Sequence, residues 1–161
     1  MNNFKLVYDF LNDPNTFSWA DKMLIPMAGI LLISYLFKKK IKKFRVWVII
    51  LTIFSSGVSI FATTLEYTGY ADTITAIETG STLKVEGEVT NFKHLDDDNH
   101  SSGESFKVNG VKFIYSDYHR IHGYHHTCSL GGVICKDGQV VRLSYIEDNL
   151  FNRIVKLELA E

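Results

Sequence analysis

Apolar positions along the chain follow two different rules, and the change comes near Leu65. Before it lie two twenty-residue runs, 18–37 (SWADKMLIPMAGILLISYLF) and 46–65 (VWVIILTIFSSGVSIFATTL), in which apolar side chains dominate. As helices rising about 1.5 Å per residue, each would extend about 30 Å, the thickness of a bilayer's hydrocarbon core. The pair predicts a transmembrane hairpin. The second run is uncharged. The first carries Asp21 and Lys22 near its start, where charged side chains reach the interface, and Ser18 with Asp21 fits a helix-capping pattern. A re-entrant or interfacial course for residues 23–37 is the alternative. Ahead of both runs, Phe4, Val7, Tyr8 and Leu11 fall at helical spacing. Residues 1–17 therefore read as an amphipathic helical segment, ended by Asn12-Asp13-Pro14 and lying on the membrane surface or against the soluble part.

Beyond a linker at 66–81 the period shortens to two, and residues 82–161 read as an all-β domain. Strands are predicted at 82–92, on both sides of the Asn109-Gly110 hairpin signal in 104–116, at 139–146 and at 153–159. A shorter one is predicted at Val133–Cys135. Five main strands without proline, and one long connection after the third, predict a small antiparallel OB-like barrel, with an SH3-like or short sandwich arrangement as the alternative. The expected fold class is thus an α+β membrane protein, a two-helix hairpin followed by this β-domain. Two polar stretches, 93–104 and 117–132, interrupt the strands, and long loops on a rigid framework are where binding concentrates.

Charge then gives the hairpin a direction. The net charge of −1 hides a split: residues 1–65 hold eight basic and three acidic side chains, and residues 66–161 hold nine and fifteen, so +5 offsets −6. Six cations crowd into residues 38–45 (KKKIKKFR), the short loop between the runs, where they act as the positive-inside signal and meet anionic lipid. The expectation is a multi-pass protein of the bacterial inner (plasma) membrane with both termini extracytoplasmic. No basic n-region with an apolar h-region follows Met1, so a cleavable signal peptide is not expected. The balance also argues against a nucleic-acid-binding domain, a disordered acidic tail or a cysteine-rich mini-protein.

Chemistry-bearing residues cluster in the second half. Cys128 and Cys135, placed outside the cytoplasm, are expected to close a disulfide across a loop; two reduced buried thiols or a redox pair are the alternatives. All six histidines lie after residue 65, with His119, His122, His125 and His126 inside eight positions and His94 and His100 flanking Asp96-Asp97-Asp98. Imidazoles so spaced on a loop could hold divalent zinc, copper or nickel, and their joint protonation would bring this half from −6 to about neutral. No phosphate loop, nucleophile elbow or metalloprotease signature occurs. Ser116-Asp117 beside His119 is a run of triad residue types, which seldom form a triad in space. An enzyme is not expected.

From Glu88 on, GEVTNF, ESFKVNGVKFIYSDY, GYHHT, a Gly-Gly pair followed by VRLSYI, and IVKLEL succeed one another. This order resembles a widespread group of small, membrane-anchored bacterial proteins of uncharacterised function, over residues 84–159. Their loop reads more like G-F-N-x-T, so His125-His126 and Cys128 depart from the pattern. The resemblance implies a fold and a membrane-attached setting but no activity. It points to Tyr115, Asp117, Tyr118 and Tyr124 as a binding surface, or else as strand-end and turn residues that fix the loop. Three functions fit: a binding module for an envelope protein or peptide, a metal-binding envelope protein using the histidine loop, or an immunity protein against an envelope-targeting toxin.

Overall fold

The computed structural model describes residues 3–13, 27–35, 42–95, 103–117, 122–148 and 151–161. Contacts divide the chain into two units, one comprising 1–16 with 72–161 and the other 17–71.

Residues 27–35 form a helix, α1, and Lys42–Glu78 a 37-residue helix, α2, of which 42–71 fall in the second unit. Among the described residues one helix is long and apolar enough to cross a membrane, Val46–Glu78 within α2. The remainder of the first predicted span, 18–26 and 36–37, lies outside the described residues. Along α2, Thr52, Ser56, Ser59 and Thr63 share one sheltered face while Phe54, Phe61 and Leu65 are exposed. The Thr52 and Thr63 hydroxyls donate to the carbonyls of Val48 and Ser59 at 2.8 and 2.7 Å, which satisfies them within their own helix. At Gly29 of α1 a Cβ would stand 2.5 Å from Thr52 Cγ2. A hydrogen in place of a side chain is what allows the two helices this approach.

The helix does not stop at Leu65. Residues 66–78, expected as a linker, continue it, because Gly69 alone is too weak a break. It ends at Gly80, whose φ of +70° a side chain would resist. There the Gly80 N–H donates to Ile77 O at 3.2 Å and the Ser81 N–H to Ala76 O at 2.9 Å, the paired closure of a left-handed helix end.

The other unit is a six-stranded antiparallel sheet. Its strands are β1 (Phe4–Asp9), β2 (Leu83–Leu95), β3 (Gly103–Val108), β4 (Val111–Tyr115), β5 (Val140–Ile146) and β6 (Arg153–Ala160), in the order β1-β6-β5-β2-β3-β4. With β1 and β4 at its two ends, the sheet does not close, and the five-stranded barrel gives way to an open sheet with a sixth strand. That strand corrects the helix expected in residues 1–17. Phe4, Leu6, Tyr8 and Phe10 also alternate with period two, and pairing with β6 from Phe4↔Ala160 to Asp9↔Lys156 satisfies the backbone that a short surface helix would leave to solvent. The register slips between Leu6 and Tyr8, after which Tyr8 and Phe10 are buried.

β2 is shared. Leu83 to Glu88 pairs with β5, and Val89 to Leu95 with β3. Between Thr90 and Lys93 the ladder is irregular, with Asn91 at φ +54°, and the Phe92 N–H is taken up by Asp137 Oδ1 at 2.7 Å. The Lys136-Asp137-Gly138 turn thus fills the break in β2. Asn109 and Gly110, both at positive φ, make the tight β3–β4 turn the sequence predicts. Inward residues alternate on β5 (Val141, Leu143, Tyr145) and join Phe106, Val108, Phe113, Ile134 and Leu157 in the core. Val133–Cys135 is not a strand. Its backbone is held by one side chain, Gln139, which donates to Val133 O at 2.8 Å and accepts from the N–H groups of Cys135 and Lys136 at 2.7 and 3.1 Å.

Candidate functional site

Two carboxylates from β3 and the end of β4 anchor the loop at 122–133. Glu104 is 1% exposed. It accepts the Tyr115 hydroxyl on Oε2 at 2.9 Å and the Cys128 N–H on Oε1 and Oε2 at 2.9 and 3.0 Å, while His94 Nδ1 lies 3.2 Å from Oε1. Asp117 Oδ2 accepts the Thr127 N–H at 2.9 Å and also the Thr127 hydroxyl, and His126 Nδ1 lies 3.7 Å from Oδ1. A buried carboxylate is tolerable only when donors replace the water it has lost, and both anchors meet that condition.

Tyr124 seats the same loop on the sheet. Its N–H donates to Ile154 O at 2.8 Å and its hydroxyl accepts the Val133 N–H at 3.0 Å. The ring stands edge-on to Tyr8 and Tyr115 at 5.4 and 5.5 Å between centroids. Burial lifts the Tyr124 hydroxyl to about 12, the Val133 hydrogen bond pulling the other way and Glu104 and Asp117 pushing it up further. Burial, and then the Glu104 carboxylate, holds Tyr115 well above the ordinary phenol range. Two glycines are required by approach. A Cβ at Gly123 would meet Ile154 O at 2.7 Å, and one at Gly132 would meet His126 O at 2.2 Å. The Cys128–Cys135 disulfide closes the far side of the loop.

The motifs quoted from the sequence therefore converge on one knot. Glu104 of ESF, Tyr115 and Asp117 of YSDY, Tyr124 and Thr127 of GYHHT, and Gly132 of the Gly-Gly pair all hold the loop. Of the residues expected at a binding surface, Tyr115 is 2% exposed and Tyr124 4%, and Asp117 is spent on Thr127. Tyr118 lies outside the described residues, as does His119 of the expected metal set. His122 is partly buried, His125 Nδ1 is 3.0 Å from Gly123 O, and the rings of His125 and His126 are 4.6 Å apart. Among the described residues no three His, Cys, Asp or Glu side chains come together to hold a metal.

What the knot presents is a groove of about 440 Å³ between β1, with its following Phe10–Asn12 turn, and the loop. Leu6, Val7, Tyr8, Tyr124 and Val133 line it, together with Asp9, Asn12, Asp13, His126 and Gly131. Asp9 caps the turn, accepting the Leu11 N–H at 3.1 Å and Asn12 Nδ2 at 2.8 Å. Sequence reasoning missed this wall because it read β1 as a helix; the period-two alternation was the available signal. Comparison of the chain with family models, with characterised proteins and with solved structures finds no match. The resemblance drawn from the motifs therefore rests on those residues alone.

Proposed function

We propose that this is a two-span membrane protein that presents its sheet outside the cytoplasm as a binding module. The observation that carries the topology is the β1–β6 pairing, which builds residues before the apolar segments into the same sheet as residues after them. A chain that leaves the sheet after Asp9 and re-enters it at Leu83 crosses any bilayer between those points an even number of times. With α2 as one crossing, the first apolar run of the sequence, 18–37, is the other in this reading. The contact of Gly29 with Thr52, on the hydroxyl-bearing face of α2, supports a packed pair of spans. With the cationic loop 38–45 inside, the sheet faces an oxidising compartment, in keeping with the Cys128–Cys135 bond.

A binding role is supported by the loop at 122–133, which is tied from three strands and a disulfide and borders an open groove. Rigid elements that position a concave surface are the usual basis of recognition. The partner class is another envelope protein or peptide. Topology is tested with single introduced cysteines at Asn2, Lys40 and Glu161 and a membrane-impermeant maleimide on spheroplasts. Positions 2 and 161 label in intact spheroplasts and position 40 only after lysis. Labelling of one terminus without the other would overturn the two-span reading.

A further inference from the structure

The groove has two chemically different parts. Its walls are aliphatic and aromatic, with Leu6 49% and Val7 37% exposed on an end strand and the edge-on rings of Tyr8 and Tyr124 beneath. Asp9 and Asp13 flank the Phe10–Asn12 turn that follows β1, one at each end, and both line the groove. The capping role of Asp9 uses one donor on each oxygen, and a carboxylate oxygen accepts two. The field of these groups reaches the groove floor, because the Tyr8 hydroxyl is held above the phenol range by burial first, then by Asp13 and Asp9. Nor is the sign local, since residues 66–161 carry fifteen acidic against nine basic side chains. A negative end on an apolar, aromatic slot is the complement of a side chain with an apolar stem and a cationic head. The volume of about 440 Å³ lies within the range of about 300–1,000 Å³ found for ligand pockets.

We propose that this groove receives a lysine or arginine side chain of the partner polypeptide, with its stem along Leu6, Val7 and the tyrosine rings and its cation at Asp9 and Asp13. The assignment rests on the binding-module reading and names what that module recognises. Long-range attraction between the acidic domain and a basic partner raises the encounter rate and weakens with salt.

The test uses the full chain in nanodiscs and amide chemical shifts, with four probes: acetyl-Gly-X-Gly-amide tripeptides in which X is lysine, arginine, norleucine or glutamate. The lysine and arginine probes shift the amides of Tyr8 to Asp13 and of Gly131 and Val133, and bind at least about tenfold more tightly than the norleucine or glutamate probe. Asp13→Asn weakens them several-fold, and Val7→Arg, which tethers a guanidinium in the groove and leaves both carboxylates in place, abolishes the shifts. Each variant is accepted only if its spectrum is otherwise that of the folded chain. The proposal is overturned if norleucine binds as well as lysine, if the shifts map elsewhere, if Val7→Arg binds like the wild type, or if a divalent cation alone gives the same shifts and is not displaced by lysine. Loss of the groove assignment would leave the two-span topology untouched, since maleimide labelling reads that independently.

Discussion

Glu104 and Tyr115 show how a single residue can look like a site and act as a joint. A tyrosine, an acid and a threonine in a motif are the side chains that touch ligands, and they are equally the ones that tie a loop to a sheet. Burial decides between the two roles, because the Glu104 carboxylate is 1% exposed and engaged by Tyr115, the Cys128 N–H and His94. A consequence appears at high pH. Phenols of the unfolded chain ionise near pH 10, whereas Tyr8, Tyr115 and Tyr124 in the fold stay protonated beyond that. The folded state then binds more protons than the unfolded one, so stability is fully present below about pH 10 and is lost as pH rises above it. Tyr115→Phe gives up a hydrogen bond to a buried carboxylate, a loss of about 1.5–3 kcal/mol near pH 8, but it also removes one of these phenols. Urea midpoints of the two proteins should therefore converge between pH 8 and 11.5. A constant gap would show that Tyr115 ionises as freely in the fold as outside it.

At the scale of elements, the β3–β4 hairpin and β5 could be read from the chain. Asn109-Gly110 carries its own turn geometry, and the alternation of Val141, Leu143 and Tyr145 admits one face. β1 could not, since Phe4, Val7, Tyr8 and Leu11 suit a helix while Phe4, Leu6, Tyr8 and Phe10 suit a strand. The choice was made by a partner strand about 150 residues away, which no local pattern encodes. The groove was hidden for the same reason, having β1 as one wall, and the anchoring of Cys128 by Glu104 spans 24 positions. The disulfide, by contrast, was readable from the spacing of Cys128 and Cys135 and the compartment expected for them, and its contribution can be stated. Closing a loop of seven-residue separation stabilises by about 2.5 kcal/mol in the chain-entropy account. Cys128→Ser with Cys135→Ser should lower stability by roughly that amount and speed amide exchange at residues 122–133 more than in β5. Uniform acceleration across the sheet would mean that the bond supports the whole domain and not the loop.

For the whole molecule, the N-terminal residues are structural parts of a domain whose remaining strands begin at Leu83. Phe10 is 1% exposed and sits in that domain. Phe10→Ala should cost the sheet about 3–5 kcal/mol, measured as a thermal midpoint of the β-domain signal in nanodiscs. A membrane-surface helix at 1–17 would instead leave that midpoint unchanged.

The pairing of β1 with β6 also sets an order of events during biosynthesis. β1 has no partner until β6 follows it about 150 residues later, and at about 5–20 residues per second of synthesis that interval is roughly 7–30 s. Throughout it Leu6 and Tyr8 lack the strand they pair with. The sheet can be finished only once β6 has been made, so a chain stopped anywhere before residue 153 would leave β1 unpaired as well as lack β6.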